Sequence, residues 1–156
     1  MDVYLMQHGV AATEEVDPAR PLTDAGRMAV EEVAARARSL GVRAGVCVHS
    51  GKLRARQTAA ILAAALGAAL EERPDLGPSD PVGPAAEWLL AEAATTGGAL
   101  AVVGHLPFLD RLASLLVVGD ETAQVIRFHN AALVRLVPKV DAAGYSIAWI
   151  LPPDES

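Results

Sequence analysis

The chain is short of cysteine, aromatic residues, positive charge and long apolar runs, and each shortage closes a class of explanation. Cys47 is the single cysteine in 156 residues, so an intrachain disulfide framework is excluded. It sits in the apolar run Val46-Cys47-Val48, which predicts a buried, inert thiol rather than a reactive one. Aromatic residues make up 4% of the chain, which points to close alanine-rich helix packing more than to an aromatic-lined ligand cavity. The longest uncharged apolar-rich stretch, Thr58 to Leu70, is shorter than the ~17 residues a membrane-spanning helix needs. The first residues, Met1-Asp2-Val3-Tyr4-Leu5-Met6, lack the basic lead and apolar stretch of a secretory signal, so a cytoplasmic protein with no membrane partner is expected. Four histidines without a His-x-His pair give little support to a metal site, and none is expected.

The net charge is −6, from 13 Lys+Arg against 19 Asp+Glu, which argues against a general nucleic-acid binder. The distribution is more informative. Val33 to Leu70 holds Arg36, Arg38, Arg43, Lys52, Arg54 and Arg56 and no acid, so the other seven basic residues face all 19 acids. An acidic protein with one basic segment is suited to a small or locally displayed anion. Of these six, Lys52 and Arg54 are placed for a site, and Arg36 and Arg38 for a solvated helix face.

A hydrophobic content of 52% with 21% charged residues fits one compact domain over 1–156 with a real core. Val3 to Met6 reads as a strand ending at Gln7-His8-Gly9. Thr23 is a candidate N-cap for a helix to about Leu40, with Val30, Val33, Ala34 and Ala37 on one face and Gly41 as its stop. Val46 to Val48 reads as a second strand ending at His49-Ser50-Gly51. A helix from about Leu53 to Leu66 follows, with Thr58, Ile61, Leu62, Ala65 and Leu66 as its buried stripe and Gly67 as its end. Pro74 to Pro84 is too rich in proline and glycine for regular structure and reads as an ordered surface loop.

Ala85 to Ala94 reads as a helix leading to Gly97-Gly98. Leu100 to Val103 is a third strand ending at Gly104-His105, and a helix from about Pro107 to Val117 follows, with proline in its first turn. Ala132 to Val137 and Tyr145 to Ile150 look like a closing strand pair. Strands alternating with helices imply an α/β fold: a mostly parallel central sheet with helices on both faces.

Ligands of such sheets bind outside the carboxyl ends of the strands. Three strands here end in polar groups: Gln7-His8-Gly9, His49-Ser50-Gly51 with Arg54 just beyond, and Gly104-His105. Two histidines at separate strand ends with an arginine nearby suit phosphoryl transfer. Neutral imidazole is a nucleophile at physiological pH, and a guanidinium matches phosphate oxygens. His49 reads instead as a hydrogen-bonded core-edge residue, and His129 as part of the start of the closing hairpin.

These residues carry a resemblance. Tyr4-Leu5-Met6-Gln7-His8-Gly9 resembles the Arg-His-Gly signature of the histidine phosphatase (phosphoglycerate-mutase-like) superfamily. Arg20-Pro21-Leu22-Thr23-Asp24-Ala25-Gly26 resembles its Pro-Leu-Thr-x-x-Gly segment. Ser50 to Ala59 resembles its Ser-x-x-x-Arg-Ala-x-Gln-Thr segment, and Gly104-His105-Leu106-Pro107 its Gly-His-x-Pro segment. The small size, with no room for a large cap domain, is similar to the SixA-type phosphohistidine phosphatases. The resemblance implies that His8 is the nucleophile that becomes phosphorylated, Arg54 a phosphate clamp and His105 the second histidine of the pocket, with no metal or organic cofactor. It puts Arg20 in the weaker role of a rim contact; Lys52, by its position beside Arg54, and Asp80, in the Pro74 to Pro84 loop, are further weak rim candidates. The chain departs from the pattern at residue 7, where Gln7 replaces the motif arginine. A neutral amide in place of a charge-assisted contact costs ~1–2 kcal/mol, roughly 5- to 30-fold in anion binding.

The expected function is a protein phosphohistidine phosphatase in signal transduction, acting on a phosphohistidine-bearing signalling or phosphotransfer protein and working as a monomer. The alternatives are a non-catalytic phosphate or phosphoprotein-binding module, or a small-molecule phosphatase. The last needs an acid, for which the Pro74 to Pro84 loop offers only Asp75 and Asp80.

Overall fold

The computed structural model describes residues 1–96 and 98–154. Six strands form one sheet in the order β3-β2-β4-β1-β5-β6. In chain order the elements are β1 (Val3–Gln7), α1 (Asp24–Ser39), β2 (Val46–His49), α2 (Leu53–Leu66), β3 (Ala69–Glu72), a 3-10 turn (Pro74–Leu76), α3 (Gly83–Thr96), β4 (Leu100–Gly104), α4 (Phe108–Val118), β5 (Leu133–Pro138) and β6 (Tyr145–Leu151). The first four strands run parallel, and β5 and β6 join antiparallel on the far side of β1.

The alternation of strand side chains sorts the core into two layers. Leu5, Val48 and Val102 face α3 and α4, packing with Leu89, Phe108 and Leu112. Met6, Cys47 and Val103 face α1 and α2, packing with Val30, Val33, Leu62 and Leu66. Both faces of the inner strands are therefore covered, which is why they read as continuous apolar runs. Burial pushes the Cys47 thiol up to about 12, so it is the inert core group expected.

Helix α1 starts as its sequence directs, with the Thr23 hydroxyl accepting from the Gly26 N–H at 2.9 Å, and Gly67 closes α2 in the left-handed region at φ 68°. Two expectations need correction, and one strand was not expected. Pro107 is the N-cap of α4 rather than a residue of its first turn. Pro74 to Pro84 is not wholly irregular, because it contains the 3-10 turn and the start of α3. Strand β3 had no apolar signal: Ala69-Leu70-Glu71-Glu72 is exposed throughout, and parallel pairing to β2 makes it a strand at the sheet edge. Gly97, expected at the turn after α3, lies outside the described residues.

Candidate active site

Parallel order brings the carboxyl ends of β1, β2 and β4 to one edge, and with them His8, Ser50 and His105. The end of β1 is fixed from both sides. The His8 N–H donates to the Gly104 carbonyl at 3.1 Å, the Ala131 N–H donates to the Gln7 carbonyl at 2.9 Å, and the Asn130 amide donates to the His8 carbonyl at 2.9 Å. The imidazoles of His8 and His105 lie 5.1 Å apart, centroid to centroid.

The hydrogen bonds of His8 define its chemistry. Its Nδ1 lies 2.7 Å from the Gly9 carbonyl oxygen, which can only accept, so Nδ1 carries the proton and Nε2 the free lone pair. Burial lowers the His8 pKa, and the charges of Arg54 and Arg20 add to this against the Gly9 bond. Neutral His8 is thus a nucleophile aimed through Nε2. His105 is buried and pushed down to about 3, by burial first and then by His8, Arg54, Lys52 and Arg20. Its Nε2 is 2.6 Å from the Ser50 hydroxyl, and its buried Nδ1 has no protein partner.

Arg54, in the first turn of α2, has a buried Nε without a protein partner and no carboxylate within ion-pair distance among the described residues. Burial, and then the nearby Arg20 charge, lowers its pKa, with Glu14 acting the other way. The guanidinium remains charged. The Gln7 Oε1 is likewise buried without a protein partner. Unsatisfied polar atoms inside a protein are costly, so the unpartnered Arg54 Nε and His105 Nδ1 at the imidazole pair mark a place built for a polar ligand.

Sequence reasoning missed the groups that hold this arrangement. Gln57 and Thr58 follow Arg54 by three and four residues and so share its helix face. Thr58 reads from sequence only as core. Its hydroxyl donates to the Arg54 carbonyl at 2.8 Å and accepts from the Gly9 N–H at 3.0 Å, joining nucleophile loop to clamp helix. The Gln57 side-chain oxygen accepts from the Leu22 N–H at 2.8 Å, fixing the loop that carries Arg20. Gly9 and Gly26 permit the close contact between that loop and α1: a methyl group on Gly26 would overlap the Val10 carbonyl oxygen. The spacing around Arg54 could have revealed Gln57 and Thr58. Asn130 had no local signal.

The rim is organised differently. Lys52 and Asp80 line an open cleft of about 670 Å³ with Ser50, Gly51 and Glu72. Asp80 accepts from the Gly77 N–H at 2.7 Å, and Asp75 pairs with Arg73 at 3.1 Å. His49 is buried and its Nδ1 accepts from the Gly51 N–H at 3.0 Å, while His129 is exposed. Among the described residues no cluster of His, Cys, Asp and Glu is arranged to hold a metal, and no helix is long and apolar enough to cross a membrane.

Residues 3–78 match the histidine phosphatase superfamily (branch 1). The chain belongs to this superfamily. An uncharacterised protein of Picosynechococcus sp. is 35% identical over 140 residues, covering 87% of this chain and 84% of that one. The structure is similar to that of the protein histidine phosphatase SixA complexed with tungstate, with a TM-score of 0.86, 26% identity and coverage of 98% and 97% of the two chains. A phosphoserine phosphatase from Entamoeba histolytica in complex with phosphoserine shares the fold, with a TM-score of 0.72, 12% identity and coverage of 96% and 95%. The superfamily and the likeness to SixA support a phosphate hydrolase.

Proposed function

We propose that this protein is a cytoplasmic protein phosphohistidine phosphatase that works through a phosphorylated His8. The observation that carries the reading is the His8 tautomer: with Nδ1 held by the Gly9 carbonyl, a neutral Nε2 lone pair stands beside His105 with Arg54 as the nearby fixed cation. In the first step that lone pair forms a P–N bond as the bond from phosphorus to the substrate imidazole breaks, and the departing imidazole takes a proton from solvent. In the second, water attacks phosphorus, the bond to His8 breaks, and orthophosphate leaves with His8 restored.

The rim favours a phosphoramidate over a phosphate ester. An alkoxide leaving group needs an acid, and the loop carboxylates are engaged by Arg73 and the Gly77 N–H. An imidazole leaves more easily. The partner is therefore a phosphohistidine-bearing signalling or phosphotransfer protein, met by a monomer.

The test is phosphate release from a phosphohistidine-carrying phosphotransfer domain, with mass spectrometry of the enzyme at neutral to alkaline pH. Turnover and a phosphate on His8, both absent in His8→Ala, are expected. Release no faster than with His8→Ala overturns the reading. The neutral, unpartnered Gln7 favours a second reading, a phosphate-binding module without turnover, and detection of phospho-His8 rules it out.

A further inference from the structure

Gln7 leaves the pocket one charge short of the superfamily signature, and the loop between β1 and α1 carries a second guanidinium beside it. Arg20 is half-buried and has φ 52°, in the left-handed region where a residue other than glycine is uncommon and strained. Several bonds hold it there. The Arg20 N–H donates to the Asp17 carbonyl at 2.9 Å, the Ala12 N–H to the Pro21 carbonyl at 2.8 Å, and Leu22 is tied to Gln57 on the helix that carries Arg54. The side chain is anchored as well, because Nε donates to the Ala12 carbonyl at 3.0 Å. Among the described residues neither Nη group has a hydrogen bond or a carboxylate partner. The result is a pre-oriented fork with its two outer donors free.

We propose that Arg20 is the second guanidinium of the anion pocket, contacting phosphoryl oxygens through its Nη groups and standing in for the cation that Gln7 lacks. Its charge lowers the pKa of His8, Arg54 and His105 alike, as expected of a group facing all three. Lys52, the other nearby cation, is exposed and acts on His105 alone of these. A strained residue held by its own side chain and a stapled loop suits a site that needs a fixed charge.

This inference rests on the phosphate-pocket reading but needs no turnover, so it is tested by calorimetric binding of tungstate and of orthophosphate. Arg20→Ala and Arg20→Gly are compared in the native chain and in Gln7→Arg, with melting temperatures as the folding control. Arg20→Gly fits the left-handed backbone without strain and keeps the comparison usable if Arg20→Ala is unstable. Loss of Arg20 is expected to weaken binding about tenfold or more with Gln7 in place, and threefold or less once Gln7→Arg supplies a charge. Equal weakening in both backgrounds overturns the proposal, as does unchanged affinity without Arg20. Failure to hydrolyse phosphohistidine, with this coupling intact, overturns the proposed function and leaves the role of Arg20 standing.

Discussion

The floor of the pocket and its rim are built on opposite plans. On the floor, side chains of Thr58, Asn130 and Ser50 spend their hydrogen bonds on fixing His8, Gly9 and His105, while Arg54 Nε and His105 Nδ1 remain buried without partners. At the rim the two carboxylates of the Pro74 to Pro84 segment, Asp75 and Asp80, are tied into their own loop. The difference is where catalysis invests its preorganisation: in charge and geometry around phosphorus, and not in a proton donor for the leaving group.

The largest expected effect comes from breaking the floor at His105. His105→Ala removes a polar group from the phosphoryl site and leaves the Ser50 hydroxyl only the Lys52 N–H as partner, and a fall in kcat/KM of roughly 10²- to 10³-fold is expected from steady-state release of phosphate from a phosphohistidine protein. A loss under tenfold would make the floor no more specialised than the rim.

Thr58→Val tests whether the floor is rigid by design. It keeps the side-chain shape but deprives the buried Gly9 N–H of its acceptor, with a stability loss of about 1–3 kcal/mol in urea titration. Turnover should fall as well, because Gly9 holds the His8 tautomer.

The pH dependence separates the two histidines. A neutral His8 keeps turnover level as pH falls from 8 through the ordinary imidazole value of about 6.5, with the decline coming below it. For His105 the unfolded ring titrates near that ordinary value and the folded ring near about 3, so between the two the unfolded chain binds the extra proton. Its contribution to stability is therefore constant above the unfolded pKa and shrinks as pH falls toward the folded one. Melting temperatures from pH 7 to 4 should drop more steeply for the native chain than for His105→Gln.

The same contrast explains what was legible in the sequence. The inner strands and both α1 and α2 were readable because burial writes apolar patterns, and Thr23 and Gly67 mark helix ends through caps that act locally. His8, Arg54 and His105 were legible because strand ends and motif spacing bring chemistry to one edge. Strand β3 was not, since an exposed edge strand owes its existence to a neighbour rather than to its own residues. Asn130 and the anchored Arg20 depend on contacts made only in the folded chain, at sequence separations of 122 and 8 residues.

The smallest expected effect is the most discriminating. Asp75→Asn with Asp80→Asn removes both negative charges from the loop while an amide oxygen can still accept from Gly77. If the rim supplies no acid, phosphohistidine turnover changes less than about threefold, since loss of a working general acid would cost about 10²-fold or more. A hundredfold loss on a phosphate ester, with phosphohistidine turnover unchanged, would show the rim acting as an acid for esters. It would also move the molecule from a protein phosphatase toward a small-molecule one. The native bonds argue against that outcome: Asp75 is paired with the Arg73 guanidinium at 3.1 Å and Asp80 accepts from the Gly77 N–H, so both carboxylates are already engaged within the loop.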